Sequence, residues 1–205
     1  MEILKKSLLV IMLFISATNF AQDYKSLQDA FQKSINYESK QDYINAIDVL
    51  KPLVSATNYE VNVRLGWLYY LAGKNNESVT YYTKAIALKP VAVEPLLGIT
   101  YPYGELKKWT ELQSTYQKII ILDPKNTTAN YRLGLSAYYG KNYVLAKKYF
   151  DIVLNLYPLD YNTLLMSAWT NYFLGKPSEA KILFNKVLMI SPDDKSATEG
   201  LALIK

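Results

Sequence analysis

Residues 64–90 read RLGWLYYLAGKNNESVTYYTKAIALKP, and residues 132–158 read RLGLSAYYGKNYVLAKKYFDIVLNLYP. Each opens on Arg-Leu-Gly, runs through aromatic residues, passes a Gly-Lys-Asn turn and ends at a proline. The closing prolines belong to a series, Pro90, Pro124, Pro158 and Pro192, spaced 34 residues apart. Proline stops helices, so stops at constant spacing predict structural units of equal length. Other residues keep the same period. Gly66 and Gly134 lie two periods apart, while Ala146 and Ala180, and Phe150 and Phe184, lie one period apart. Tyr82 and Tyr116 occupy the places of the phenylalanines.

Within a unit the apolar residues recur at the 3.6-residue period of two amphipathic helices. In residues 59–92 the first helix is predicted from Tyr59 to Ala72 and the second from Asn76 to Leu88. The small residues let the two helices approach, and Tyr82, Tyr116, Phe150 and Phe184 are expected to fill the space between successive units.

This pattern resembles the tetratricopeptide repeat, W-x2-L-G-x2-Y, then A-x3-F, then P. Residues 59–92 match with Leu65, Gly66, Tyr69, Ser78 in the alanine place, Tyr82 and Pro90. Residues 127–160 match with Leu133, Gly134, Ala146, Phe150 and Pro158. Residues 161–194 match with Ala168 replacing the glycine, then Ala180, Phe184 and Pro192. Residues 93–126 keep Tyr103 and Tyr116 but carry Thr100 and Leu112 where small residues are expected. A weaker unit at about 27–58 has Ser34, Tyr37 and Ala46, lacks the closing proline and is two residues shorter. The resemblance implies an all-α fold, a right-handed α-solenoid of about five helix-turn-helix units. Residues 195–205 are expected to form a C-terminal capping helix over the last open face. One irregularity stands out: Gly98, Pro102 and Gly104 fall inside the first helix of residues 93–126. Pro102 predicts a kink or break there.

The N-terminus, MEILKKSLLVIMLFISATNFAQ, has a basic start, an apolar run from Leu8 to Ile15 and a polar end. That is the build of a secretory signal peptide over residues 1–21, of the kind seen in Bacteroidetes, with cleavage expected after Ala21. The mature domain would then be residues 22–205. Loss of Glu2, Lys5 and Lys6 would lower the net charge from +5 to +4. The expected product is exported, periplasmic or associated with the outer membrane, with no membrane span in its mature form.

Composition narrows the function. The chain has no cysteine and no histidine, which removes disulfides, thiol nucleophiles, Cys/His zinc sites and histidine relays. No metal or cofactor is expected. Acids such as Asp48, Asp151 and Asp160 sit at scattered places, so no enzymatic constellation is expected. Lysines and acids are interspersed, which argues against nucleic acid.

In the resembled family, ligands are held on the concave face by the second, fifth, sixth, ninth, twelfth and thirteenth places of each unit. The seventh, eighth and eleventh places form the core. This implies that Leu65, Gly66 and Tyr69 are core, whereas Val63, Arg64, Trp67, Tyr70 and Leu71 face the groove. Other units offer Leu97 and Tyr101; Tyr131, Arg132, Leu135, Tyr138 and Tyr139; and Asn162, Leu165, Trp169, Tyr172 and Phe173. Exposed aromatic clusters usually mark interaction sites. Arg64 and Arg132 are the only arginines, against 21 lysines, and both sit in the sixth place. A guanidinium pairs bidentately with carboxylates; the ordinary alternative is a salt bridge to a neighbouring helix, for example with Glu60 or Glu94. Repeats that clamp a C-terminal carboxylate use lysine and asparagine on first helices, plus an arginine. Here Phe31, Ile35, Arg64 and Gly98 stand in the corresponding places and only Arg132 fits. The expected function is therefore a protein-interaction scaffold of the cell envelope, holding a partner segment in an aromatic groove. The alternative is a polysaccharide-binding protein of a secretion or envelope assembly system, with an anionic glycan as ligand. The sequence leaves the oligomeric state open.

Overall fold

The computed structural model describes residues 24–54 and 58–204; the expected signal peptide lies outside the described residues. All regular structure among the described residues is helical. The elements are α1 (24–39), α2 (Tyr43–Asp48), α3 (Tyr59–Leu71), α4 (Asn75–Leu88), α5 (Val93–Glu105) and α6 (Trp109–Leu122). They continue with α7 (Thr127–Tyr139), α8 (Tyr143–Leu156), α9 (Tyr161–Phe173), α10 (Pro177–Ile190) and α11 (Lys195–Leu203). The described residues divide into two compact units, one up to residue 106 and one from residue 107. In the first, α3 packs on α4 and α5 packs on both; in the second, α7 packs on α8, α9 on α10 and α11 on α10. Each unit is a stretch of α-solenoid.

Start signals recur with the prolines. Asn58, Asn126, Asp160 and Asp194 stand directly before α3, α7, α9 and α11, and each side chain accepts the backbone N–H three residues on. A short polar side chain satisfies one of the four unpaired N–H groups of a helix start. Ala92, before α5, provides no such cap. The shorter residues 27–58 pack differently at their end: α2 has six residues and gives way to a 3-10 turn, Lys51–Leu53, with Pro52 in its first turn.

The aromatic residue of each second helix is the packing centre. Phe150 and Phe184 are fully buried and Tyr82 nearly so. Small residues lie against these rings from two directions. A Cβ on Gly66 would come within 2.8 Å of the Tyr82 ring, and one on Gly134 within 2.5 Å of Phe150. From the following helix, a Cβ on Gly98 would come within 2.3 Å of Tyr82, and one on Gly200 within 2.2 Å of Phe184. Gly98 is thus a packing residue, not a helix breaker.

Pro102 does not break α5, which runs unbroken from Val93 to Glu105. The proline lies in the last turn, so few hydrogen bonds follow the one it removes, and it is buried. The neighbouring glycines separate these roles. Gly98→Ala should lose about 1–2 kcal/mol, since overpacking costs ~1–3 kcal/mol and alanine returns up to ~1 kcal/mol of helix propensity. Gly104 has open space around its Cβ position, so Gly104→Ala should gain up to ~1 kcal/mol. Denaturant melts of the two variants should move in opposite directions.

Candidate functional site

In the first unit, the sixth, ninth and twelfth places of the repeats bring Arg64, Trp67, Tyr70 and Tyr101 to one side. Trp67 lies 5.7 Å from Tyr70 and 6.0 Å from Tyr101, and Tyr70 lies 5.3 Å from Tyr101, between ring centroids. Tyr101 is 53% exposed and forms the outer edge of this triad. Behind it sits Glu38 of α1, a residue that sequence reasoning missed. Its Oε1 accepts a 2.7 Å hydrogen bond from the Trp67 indole N–H, and its Oε2 forms an ion pair with Arg64 Nη2. The Arg64 and Glu38 side chains retain only 16% and 23% exposure, and Arg64 Nε is buried without a hydrogen-bond partner. The Arg64 charge is therefore matched within the chain, by Glu38 and not by Glu60 or Glu94. Both carboxylate oxygens of Glu38 orient side chains of α3, Trp67 and Arg64.

A cavity of about 360 Å³ adjoins this arrangement, lined by Phe31, Tyr59, Glu60, Val63, Arg64, Trp67 and Glu94. The Tyr59 hydroxyl donates to Glu94 Oε2 at 3.3 Å. Burial, reinforced by the Glu94 charge, pushes the Tyr59 phenol up to about 12, so it remains a donor at neutral pH. Lys89 Nζ sits 4.0 Å from the centre of the Tyr59 ring and 3.4 Å from Glu60 Oε1.

In the second unit the rings of α7 and α9 form a longer network. Tyr138 contacts Tyr139 at 5.5 Å and Phe173 at 6.0 Å. Phe173 continues to Trp169 at 6.1 Å and Tyr172 at 5.3 Å. Tyr143, at the start of α8, stacks on Phe173 at 4.9 Å with ring planes 14° apart. It was missed because its place in a second helix reads as scaffold. Tyr139 is 74% exposed and Phe173 47%, whereas the Trp169 indole N–H is engaged by Ser196 of α11 at 2.9 Å. Burial raises the Tyr138 phenol above its ordinary value. Tyr131 stands apart from this network: it contacts Phe150 and lines a separate 310 Å³ cavity with Tyr157, Asp160 and Asn162.

Tetratricopeptide-repeat profiles match residues 59–91, 128–160 and 161–194. These units are tetratricopeptide repeats. A solved tetratricopeptide-repeat protein from Parabacteroides merdae is 25% identical, with a TM-score of 0.72 over 87% of this chain and 72% of that one. MamA is similar in fold, at 20% identity and a TM-score of 0.69 over 88% of this chain and 99% of that one. The uncharacterized protein ycf37 of Pyropia yezoensis is 32% identical over 68 residues; the match spans 33% of this chain and 38% of that relative.

The repeat register explains why two arginines in the same place differ. Glu38 stands in the twelfth place of the repeat before Arg64; the twelfth place of the repeat before Arg132 is Gly104. Arg132 is exposed and forms no ion pair among the described residues. No group of carboxylates among the described residues is arranged to hold a metal ion, and no helix among them is long and apolar enough to cross a membrane.

Proposed function

We propose that this repeat protein is a non-enzymatic scaffold of the cell envelope that holds a partner protein segment against aromatic surfaces, one on each unit. The observation that carries this is the pairing of exposed rings with held ones. Tyr101, Tyr139 and Phe173 are exposed, while Glu38 and Ser196 hold Trp67 and Trp169 beside them. Rings fixed before binding lose little conformational freedom on contact, which is how aromatic anchors dominate interfaces. The export signal read in residues 1–21 supports the envelope setting.

The test uses the exposed rings, because Trp67 and Trp169 also tie helices together. A partner recovered by crosslinking from envelope extract would be titrated against wild type and a Tyr101→Ala/Tyr139→Ala/Phe173→Ala variant. At about 2 kcal/mol per important anchor, roughly 30-fold weaker binding is expected for each ring that counts. Because Phe173 also packs on Tyr138 and Tyr143, a Tyr101→Ala/Tyr139→Ala variant that spares it should show the loss at near-wild-type melting temperature. Equal affinity for both proteins would remove the aromatic surfaces from the function.

A glycan ligand remains the second reading, favoured by one feature. The stacked Tyr143–Phe173 pair lies in a unit, residues 107–205, whose charged residues sum to +5. An anionic polysaccharide would bind there with steep salt dependence. Binding unaffected by salt would exclude it.

A further inference from the structure

We propose that the cavity of the first unit is a receptor for a cationic side chain, a lysine or arginine of the partner segment. This rests on the scaffold reading and adds the chemistry of one contact. The cavity walls are aromatic and aliphatic, from Phe31, Tyr59, Val63 and Trp67, and the charged Glu60, Arg64 and Glu94 complete the lining. The charges around it do not balance. Arg64 is matched by Glu38 and Lys89 by Glu60. Glu94 is left with the Tyr59 hydroxyl as its partner and no ion pair among the described residues. Glu94, itself exposed, therefore adds one unpaired negative charge to the lining of a space of about 360 Å³.

The protein already shows how this chemistry holds a cation. Lys89 places its ammonium over the face of Tyr59, against Glu60. Ring faces carry the negative end of their quadrupole, so a cation is attracted to them, most strongly where water is displaced. A second cation, from outside, finds the Trp67 and Phe31 rings with Glu94 beside them. Its aliphatic stem would lie along Val63, as long basic side chains do when their heads stay polar. An acidic group would meet the unmatched Glu94, and the Arg64 charge is already met by Glu38. The wider field agrees: residues 22–106 sum to −1, whereas residues 107–205 sum to +5.

The indole N–H resonance of Trp67 in the ¹⁵N-labelled protein, assigned with Trp67→Phe, reports on this cavity directly. The probe is the blocked tripeptide Ac-Gly-Arg-Gly-NH2. Its controls are the citrulline peptide, equal in shape but uncharged, and the glutamate peptide. The arginine peptide should shift the resonance saturably, and the citrulline peptide should bind roughly fivefold more weakly or worse. Glu94→Gln, which keeps an acceptor for Tyr59, should weaken the arginine peptide roughly three- to tenfold at unchanged melting temperature. No saturable shift, equal response to citrulline, or indifference to Glu94→Gln would each overturn the proposal. Preference for the glutamate peptide would overturn it in favour of an anion site. If the peptide fails while the Tyr101/Tyr139/Phe173 variant still loses its partner, the cation pocket falls and the scaffold stands. If that variant keeps its partner, the scaffold reading falls on its own test.

Discussion

Phe184→Ala is expected to destabilise the protein by about 3–5 kcal/mol, the range for removing a fully buried phenylalanine. The ring has no solvent exposure and sits among Leu164, Ala168, Ala180, Val187 and Ala197. Trp169 meets it edge-on at 5.1 Å, and Gly200 of α11 has no side chain because the ring occupies that space. One ring therefore joins α9, α10 and the closing helix. Truncation leaves a cavity between three helices that the neighbouring Leu164, Val187 and Trp169 side chains can fill only in part. For a chain of this length the loss corresponds to a fall of roughly 10 °C in Tm, at about 2–4 °C per kcal/mol. Phe184→Leu, which keeps most of the volume, should cost less than about 1.5 kcal/mol. Calorimetry of the two variants decides the matter: a Phe184→Ala protein within 1 kcal/mol of wild type (about 2–4 °C) would mean that the ring is not a packing centre.

Glu38→Ala should cost about 1–3 kcal/mol and should act through Arg64. Removing one member of a fully buried ion pair costs ~3–5 kcal/mol, because the other charge is stranded. Here both side chains keep some exposure, so solvent screening lowers the figure. The loss has a second part, since the Trp67 indole N–H also gives up its acceptor. A double-mutant cycle separates the two. In the Glu38→Ala background, Arg64→Met should cost at least about 1 kcal/mol less than in wild type, because the stranded charge leaves with it. Strictly additive losses would show that Glu38 and Arg64 are not coupled. Measurements in high salt should retain most of the effect, since a pair this enclosed is weakly screened.

The two stretches that open on Arg-Leu-Gly show how far reading the chain could go. Their period, their small residues and their prolines specify helix pairs, and the structure places α3, α4, α7 and α8 where those signals put them. The reason is local: a helix stop, a cap and a 3.6-residue apolar face each depend on neighbours a few residues away. The aromatic places were legible for the same reason. Tyr70, Tyr101, Tyr138, Tyr139, Tyr172 and Phe173 do form clusters, because residues in one register of stacked helices share a side.

Arginine was the point where local signals ran out. Arg64 and Arg132 share a place in the repeat and are each followed by Leu-Gly. Their difference lies 26 and 28 residues upstream, in Glu38 and Gly104, and takes effect only when α1 packs beside α3. Gly98 stood in the chain only as an irregularity beside Pro102, and the Tyr82 ring across the helix interface shows what it accommodates. The sequence by itself determined the helices, their pairing and the residues that carry the rings, since each follows from contacts within one repeat. Which charges are matched, which rings are held and where an unpaired carboxylate lines an open cavity were decided by tertiary structure alone. Those properties depend on side chains that meet only across helices from different repeats.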